Sequence, residues 1–368
     1  MRLRLGIVYV GTIVLAVTAL LAVDLSGNVA LRTWEARHGM FTGVGLLVGL
    51  FTLLALPFDV VGGYLLPKAF DREVTTFPRF LASLLKGVAN HAGFYWLVGS
   101  GYILAAQLGG WILVPFIAMV FLFQQIIAQK AFAGLVGEVS ESASATEESR
   151  VLPISELSSQ EPSFSGGIVG WPGLDRLVMA ADWRRQLEPG LYELVVGRRI
   201  AAVELGLRRR GVLIAGIWNL LGVFGAAYFT GMTGTTLAEL IDFACISTLW
   251  SFVGLLILPS LSRSAVAEID RQILSMGYSR EELGKLARVT SEWQDGETRR
   301  PEVVETIFHP LPSVENRTAA LDRGIAGWAA WNAARMTLYL SWSALGLLSR
   351  AVHSNAGRPD LWVMGAVD

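Results

Sequence analysis

The sequence predicts an all-α, polytopic membrane protein with six to seven transmembrane helices and a cytoplasmic α-rich domain, for which an α+β arrangement is the alternative. Hydrophobic residues make up 53% of the 368 residues and charged residues only 17%, against roughly 25% charged in a soluble domain. The apolar residues are concentrated in blocks that could each cross about 30 Å of hydrocarbon at about 1.5 Å per residue. These blocks indicate lipid as the solvent, so the lipid bilayer is the first predicted partner.

Six apolar blocks predict spans, and they cover residues 5–23, 40–56, 92–108, 111–127, 212–229 and 240–258. The first follows Arg2 and Arg4 but lacks a small-x-small cleavage site, which favours a span over a removable signal peptide. A seventh block, 325–348, carries Arg335 near its middle. It either spans, with Arg335 facing other helices, or lies on the interface as an amphipathic helix.

The distribution of lysine and arginine predicts the orientation of the chain. With the N-terminus inside, the predicted outer loops between the first six spans hold only Arg32 and Arg37, whereas the predicted inner segments collect most of the other basic residues. We therefore expect a cytoplasmic N-terminus in the plasma membrane, or in the inner membrane if the source is bacterial. The net charge of −1 gives no support for a nucleic-acid partner, and Cys245, the single cysteine, excludes an intrachain disulfide.

Composition divides the chain into an N-terminal four-span membrane region, a linker rich in serine and glutamate, a region around spans five and six, and a C-terminal hydrophobic segment with a tail. Their bounds are 1–133, 134–167, 168–327 and 328–368. The linker has few apolar residues and clustered charge, which predicts a solvated or disordered segment. In the first region, 77–88 has the periodicity of an amphipathic helix, on the inner leaflet or packed on neighbouring spans. In the third, a short strand at 176–183 precedes a helix from Pro189 to about Arg210.

Motifs of common enzyme sites are absent from the sequence. There is no G-x-x-x-x-G-K-[ST], no G-x-G-x-x-G after a strand, no G-x-S-x-G and no H-E-x-x-H. The four histidines are His38, His91, His309 and His353, and no two of them are four residues apart. The predicted topology also divides them between the two sides of the bilayer. We expect no histidine-rich zinc centre and predict no metal or cofactor.

Three segments nevertheless follow one another in a familiar order. The first, "PGLYELVVGRRIAAVELGLRRRG", leads into two spans; "LSRSAVAEIDRQIL" and then "FHPLPSVENRTAAL" come after them. This succession resembles the HtpX-type and CAAX-prenyl-protease-type membrane zinc metallopeptidases. In that family a helix ending in H-E-L-G-H leads into spans, S-R-x-x-E-x-x-x-D supplies the third zinc ligand, and H-P-x-x-E-x-R follows. The resemblance covers about 167–323 and implies a peptidase-like cytoplasmic domain.

The chain departs from the family at the zinc ligands themselves. Val203 and Leu207 stand at the two histidine positions, four residues apart on what should be one helix face, and Val266 stands at the glutamate position. Aliphatic side chains cannot coordinate a metal. Glu204 matches the general base, but without a zinc-bound water it has no special proton to remove. The resemblance therefore implies a degenerate member in which Asp270, Arg263, His309, Pro310, Glu315 and Arg317 match framework positions, with Asp270, His309 and Arg317 in a vestigial cleft.

We expect a non-catalytic pseudo-peptidase that scaffolds or regulates membrane-protein proteolysis or quality control, with other membrane proteins or proteases as partners. An alternative is a small-solute or ion carrier that uses polar residues near the spans: Glu239, Asp242, Asn219, Gln124 and Gln125. Membership of the family by homology alone and residual metal-free hydrolysis are the remaining alternatives, and no nucleophile–base pair supports the latter. The simplest role of Glu204 is an ion pair with Arg208 on a helix surface.

Overall fold

A computed structural model describes residues 2–70, 75–141, 152–294, 299–301, 304–305, 309–322, 328–352 and 354–364. The helices are α1 (Arg2–Leu21), α2 (Val29–His38), α3 (Met40–Val60), α4 (Leu66–Ala69), α5 (Phe77–Gly109), α6 (Leu113–Ile127), α7 (Gln129–Val136), α8 (Trp183–Gln186), α9 (Pro189–Glu204), α10 (Leu207–Thr230), α11 (Leu237–Ser275), α12 (Arg280–Trp293), α13 (Val314–Ala320), α14 (Ala333–Leu340) and α15 (Asp360–Val363). The strands are β1 (Ser140–Glu141), β2 (Ile154–Ser158), β3 (Gly166–Val169) and β4 (Arg176–Ala180).

Five helical stretches of the described chain are long and apolar enough to cross a bilayer, and they are Leu3–Leu21, Met40–Ala69, Phe77–Ile127, Leu207–Thr230 and Leu237–Ser275. The third contains a reversal at Gly110, where φ is +63°, and Phe94 of α5 packs edge-on against Phe121 of α6 at 6.1 Å between ring centroids. The prediction of a mostly helical, multi-pass membrane protein is confirmed. The exact number of spans and the N-inside orientation stay predictions.

The segment 77–88 is not a separate helix, because it forms the first third of the 33-residue α5. Phe80 packs against Tyr64 at 5.4 Å between ring centroids, and a Cβ on Gly87 would lie 2.6 Å from the Pro359 side chain. Its apolar face therefore packs on neighbouring elements of the protein. At about 1.5 Å per residue the 39-residue α11 is about 58 Å long, roughly twice the hydrocarbon thickness. Its C-terminal part accordingly projects beyond the membrane.

A small sheet lies in the order β1-β2-β4-β3, with β2 and β4 parallel and the other two pairs antiparallel. The strand predicted at 176–183 is found as β4 over Arg176–Ala180, and Trp183 already belongs to α8. The prediction of a solvated linker is wrong for 154–158 and 163–167, whose residues are mostly buried. Ile154 and Phe164 join the apolar core, and the buried Glu156 pairs with Arg184, so tertiary contacts order a segment of polar composition. Residues 142–151 of the predicted linker lie outside the described part of the chain.

The described residues of 328–364, which we name the C-terminal segment, fill the interior of the helix bundle. Most are buried, and the eight-residue α14 is followed by a 3₁₀ turn and further turns. The prediction for 325–348, a span or an interfacial helix, is therefore wrong for the described residues 328–348. The sequence is apolar because the segment lies within the protein, where side chains rather than a continuous helix satisfy its backbone.

Side chains of several spanning helices bind that backbone directly. The Tyr95 hydroxyl donates to the Gly346 carbonyl at 2.6 Å, and Gln125 and Asn219 donate to the carbonyls of Tyr339 and Thr337 at 3.2 Å each. Asp59 of α3 forms an ion pair with Arg350 and accepts a 3.0 Å hydrogen bond from the Gly357 amide. Asp59 and Arg350 are both fully buried, so each charge depends on the other.

Candidate functional site

The helix that resembles the family's catalytic helix is interrupted. α9 begins at Pro189, as predicted, but ends at Glu204, and Gly206 adopts a left-handed conformation with φ +69° before α10 begins at Leu207. The prediction of one helix to about Arg210 is wrong, because this glycine conformation stops the helical hydrogen-bond ladder. Val203 and Leu207 consequently lie on different helices and do not share one helix face.

The residues around this break have separate environments. Val203 is half-buried against the apolar core, Glu204 is exposed, and Leu207 is fully buried, with its carbonyl accepting from the Trp331 amide at 3.0 Å. Arg208 is buried and points to Asp175, 4.0 Å away. The interpretation of Glu204 and Arg208 as a surface ion pair is therefore wrong, since the break turns Arg208 inward.

The projecting part of α11 carries a buried carboxylate between two arginines. Asp270 forms an ion pair with Arg198 of α9, and it accepts from Arg317 of α13 through both oxygens, at 2.6 Å from Nε and 3.0 Å from Nη2. Asp270 and Arg198 are 1% and 2% exposed, so water does little to weaken these charge-assisted bonds. We name Arg198, Asp270 and Arg317 the arginine–aspartate cluster.

A small cavity of about 60 Å³ lies beside this cluster, and we name it the Val266 cavity. It brings together three of the predicted residues, Val266, His309 and Arg317, and Arg300 and Arg335 also line it. Val203, Glu204 and Leu207 are not among its lining residues. The predicted vestigial residues thus divide into a group at the cavity and a group at the helix break.

His309 is held neutral by its surroundings. The pKa of His309 is lowered from 6.5 to about 3, first by burial and then by the positive charges of Arg300, Arg335 and Arg263. Arg263 of α11 donates to the carbonyls of Glu305 and His309 at 2.8 Å each, which ties the segment before α13 to α11. The cavity is therefore a positively charged environment with a neutral imidazole.

This donor set does not fit a zinc ion. Within the described residues, no group of three or more histidine, cysteine, aspartate or glutamate side chains is arranged to hold a metal. Asp270, the carboxylate of the cluster, has both oxygens engaged by guanidinium groups, and Val266 contributes only an aliphatic side chain. Guanidinium groups also repel a divalent cation.

Arg198 is the site residue that sequence reasoning missed. It is adjacent to Arg199 in the otherwise apolar run "LVVGRRIAAV", and both arginines are buried. Arg199 donates to the carbonyl of Ser165 at 2.7 Å and so joins α9 to the sheet. Two arginines inside an apolar helical stretch signal buried anionic or carbonyl partners. The sequence alone does not say which partners these are, because they lie on distant elements.

Comparisons with known proteins identify the fold. No family model and no curated protein matches the chain. Among solved structures eight chains match, and one is the crystal structure of S. mikatae Ste24p, with a TM-score of 0.63 and 15% sequence identity. The alignment covers 80% of this chain and 78% of that chain. At this identity the similarity shows a shared fold alone, so the chain has a Ste24p-like fold.

Proposed function

We propose that this chain is a non-catalytic membrane protein with a Ste24p-like fold, which scaffolds or regulates membrane-protein proteolysis or quality control. Ste24p is a CAAX prenyl protease of the same zinc metallopeptidase type as HtpX. The order of motifs in this chain resembles that of the same type. This resemblance supports a role connected with the proteolysis of membrane proteins. The chemistry of the site then argues for a role without hydrolysis.

The arginine–aspartate cluster is the observation that carries this proposal. A zinc peptidase needs a carboxylate free to bind or orient a metal ligand. Here the buried carboxylate of Asp270 is already neutralised by Arg198 and Arg317, and the neighbouring Val266 cavity is lined by further arginines. The ion pairs join α9, α11 and α13, which is a structural task. The Ste24p-like fold and the lack of a metal-binding group among the described residues together favour binding over bond cleavage.

The alternative of a solute or ion carrier has less support. Gln125 and Asn219, two polar residues that motivated it, donate to carbonyls of the C-terminal segment. Glu239 accepts from the amides of Thr233 and Gly234 at the start of α11, at 2.7 and 2.8 Å. These side chains therefore hold the fold together. This alternative can be tested by measuring the flux of labelled solutes into liposomes that contain the purified chain. Flux above that of empty liposomes would support a carrier.

The test measures metal content and biological effect in parallel. After a chelator wash and incubation with zinc, we expect elemental analysis to find far less than one zinc per chain and no zinc-dependent change in thermal stability. In cells that lack the chain we expect altered half-lives of membrane proteins, measured by pulse-chase mass spectrometry. Wild type and Glu204→Gln should restore them equally, because Glu204 is exposed and has no metal-bound water to deprotonate.

Two results would contradict the proposal. One is a zinc ion per chain that survives the chelator wash. The other is failure of Glu204→Gln, at wild-type abundance, to restore the half-lives. Unchanged half-lives in cells without the chain would separate the two parts of the proposal, since they would remove the role in proteolysis and leave the absence of zinc chemistry standing.

A further inference from the structure

We infer that an apolar cavity between α1, α3, α5 and α11 binds one acyl chain of a bilayer lipid. The cavity has a volume of about 460 Å³, and we name it the apolar cavity. Its walls are aliphatic and aromatic side chains, among them Ile13 and Val17 of α1, Leu47 and Phe51 of α3, and Ile241 of α11. This inference is independent of the proposed function.

Along α1, the apolar cavity extends for about the thickness of one leaflet. Its lining residues on α1 run from Tyr9 to Leu20, a rise of about 16 Å at about 1.5 Å per residue. The hydrocarbon core is about 30 Å thick, so one leaflet contributes about half of that. A chain that enters from the Leu20 end therefore reaches the bottom of the cavity without leaving its own leaflet.

The two ends of the apolar cavity differ in polarity. At the bottom, the rings of Tyr9 and Phe58 stack at 4.4 Å between centroids with an interplanar angle of 10°. At the other end, Leu25 and Asn28 line the mouth beside a polar turn, in which the Ser26 amide donates to Asp24 at 3.0 Å. The stacked rings form an apolar floor that gives a polar group no place to bind. We therefore expect the apolar tail of the ligand at the bottom of the cavity and its polar head near α2.

The apolar cavity is open to the surface that the bilayer covers. Leu50 and Leu54 of α3 line the cavity and are nonetheless 52% and 65% exposed, and Ala16 of α1 is also an exposed lining residue. Water is not a favourable occupant of the cavity, because its walls offer few hydrogen-bond partners. An empty cavity is also unfavourable, because the side chains that line it then lack van der Waals contacts on one side. The hydrocarbon chains of the bilayer are the apolar ligand in direct contact with this opening.

The experiment uses the full chain in phosphatidylcholine vesicles that contain a phosphatidylcholine with a diazirine near the end of one acyl chain. After irradiation, peptide mass spectrometry locates the cross-links. We expect the α1 and α3 residues that line the apolar cavity to be labelled several-fold more than exposed residues of α6, such as Phe116 and Met119. Even labelling of all lipid-facing surfaces would overturn the inference, and this comparison needs no variant.

Variants that fill the apolar cavity provide the second arm. Ala16→Phe combined with Ala244→Phe places two rings in the cavity and should reduce labelling of the remaining lining residues several-fold. Ala19→Phe is the matched control, because Ala19 is an exposed α1 residue outside the lining, and it should leave labelling unchanged. Undiminished labelling in a folded double variant would overturn the inference. Labelling of the cavity by a diazirine isoprenoid alcohol but not by the phospholipid would assign it to another ligand and would also overturn it.

Discussion

A carboxylate as deeply buried as that of Asp270 persists as an ion only where cations replace the water that it has lost. Arg198 of α9 and Arg317 of α13 supply two such cations. Loss of either arginine leaves one pair intact, whereas loss of the carboxylate leaves two buried guanidinium groups without their anion. The stability of the cluster therefore depends most on the aspartate.

Asp270→Asn should lower the free energy of unfolding by about 3–5 kcal/mol, the usual cost of breaking a buried ion pair from one side. Asp322→Asn is the matched control, because Asp322 pairs with Arg280 at 2.6 Å with both side chains more than half exposed. It should cost at most about 1 kcal/mol. Thermal unfolding in one detergent at one scan rate compares the two variants. Similar losses in both would contradict the buried cluster.

His309 should make stability depend on pH between about 3 and 6.5. In this range the unfolded chain binds a proton that the buried imidazole does not, so the free energy of unfolding falls as pH falls below 6.5. The loss is at most about 1.4 kcal/mol for each pH unit. His309→Gln should reduce this slope, as measured by melting temperatures between about pH 7 and about pH 5. Parallel curves for wild type and variant would show that the imidazole is not buried in neutral form.

At the scale of secondary-structure elements, the break between α9 and α10 requires a glycine at position 206. Gly206 has φ +69°, and an alanine there should cost about 1–2 kcal/mol. If the two helices were continuous, the same Gly206→Ala change would instead stabilise the protein by about 0.5–1 kcal/mol. The sign of the change in melting temperature therefore decides between a break and a continuous helix.

Gly216→Ala provides the reference for this measurement. Gly216 lies within α10, and nothing stands within 4 Å of the position that its Cβ would take. The change should stabilise by about 0.5–1 kcal/mol whichever arrangement is present at Gly206. A gain at both glycines would contradict the left-handed conformation at the junction.

The same junction shows what could be predicted from the sequence. Length and hydropathy predicted the long spanning helices, and Pro189 predicted the start of α9 correctly, because both signals are local. A glycine inside "VELGL" is compatible with a helix and with a left-handed stop, and the resemblance favoured the first. Packing of Leu207 and Arg208 against the C-terminal segment and Asp175 favours the second. That contact is not local, so the sequence pattern did not contain it.

Two other differences between the sequence-based predictions and the structure also arise from non-local contacts. The apolar run at 328–348 has the length of a span, but its backbone finds partners on Tyr95, Gln125 and Asn219 and therefore needs no continuous helix. At the site, the resemblance indicated Asp270 and Arg317 separately. Their direct contact and the participation of Arg198 depend on how α9, α11 and α13 pack, which no motif records.

For the whole molecule, the orientation in the membrane is the prediction with the widest consequences. A reporter active only outside the membrane should give no signal when fused after Gly137 or after Arg288, because the distribution of basic residues predicts that both sites are cytoplasmic. A fusion after Gly110 is the control, since the same prediction puts the turn between α5 and α6 on the outer side, where the reporter should give a signal. A strong signal at either of the first two sites would reverse the orientation.

The contacts of the C-terminal segment also limit when the helix bundle can be completed during synthesis. Gly357 donates to Asp59 across 298 positions of the chain, and Tyr95 donates to Gly346 across 251. At about 5–20 residues per second, a ribosome that has finished Asp59 needs about 15 to 60 s more to supply its partners. Throughout that interval the nascent bundle holds a carboxylate inside the membrane without its arginine. The packing around Asp59 can therefore be completed only after Arg350 has been synthesised, and a chain that stops before Arg350 would leave the buried Asp59 without its ion-pair partner.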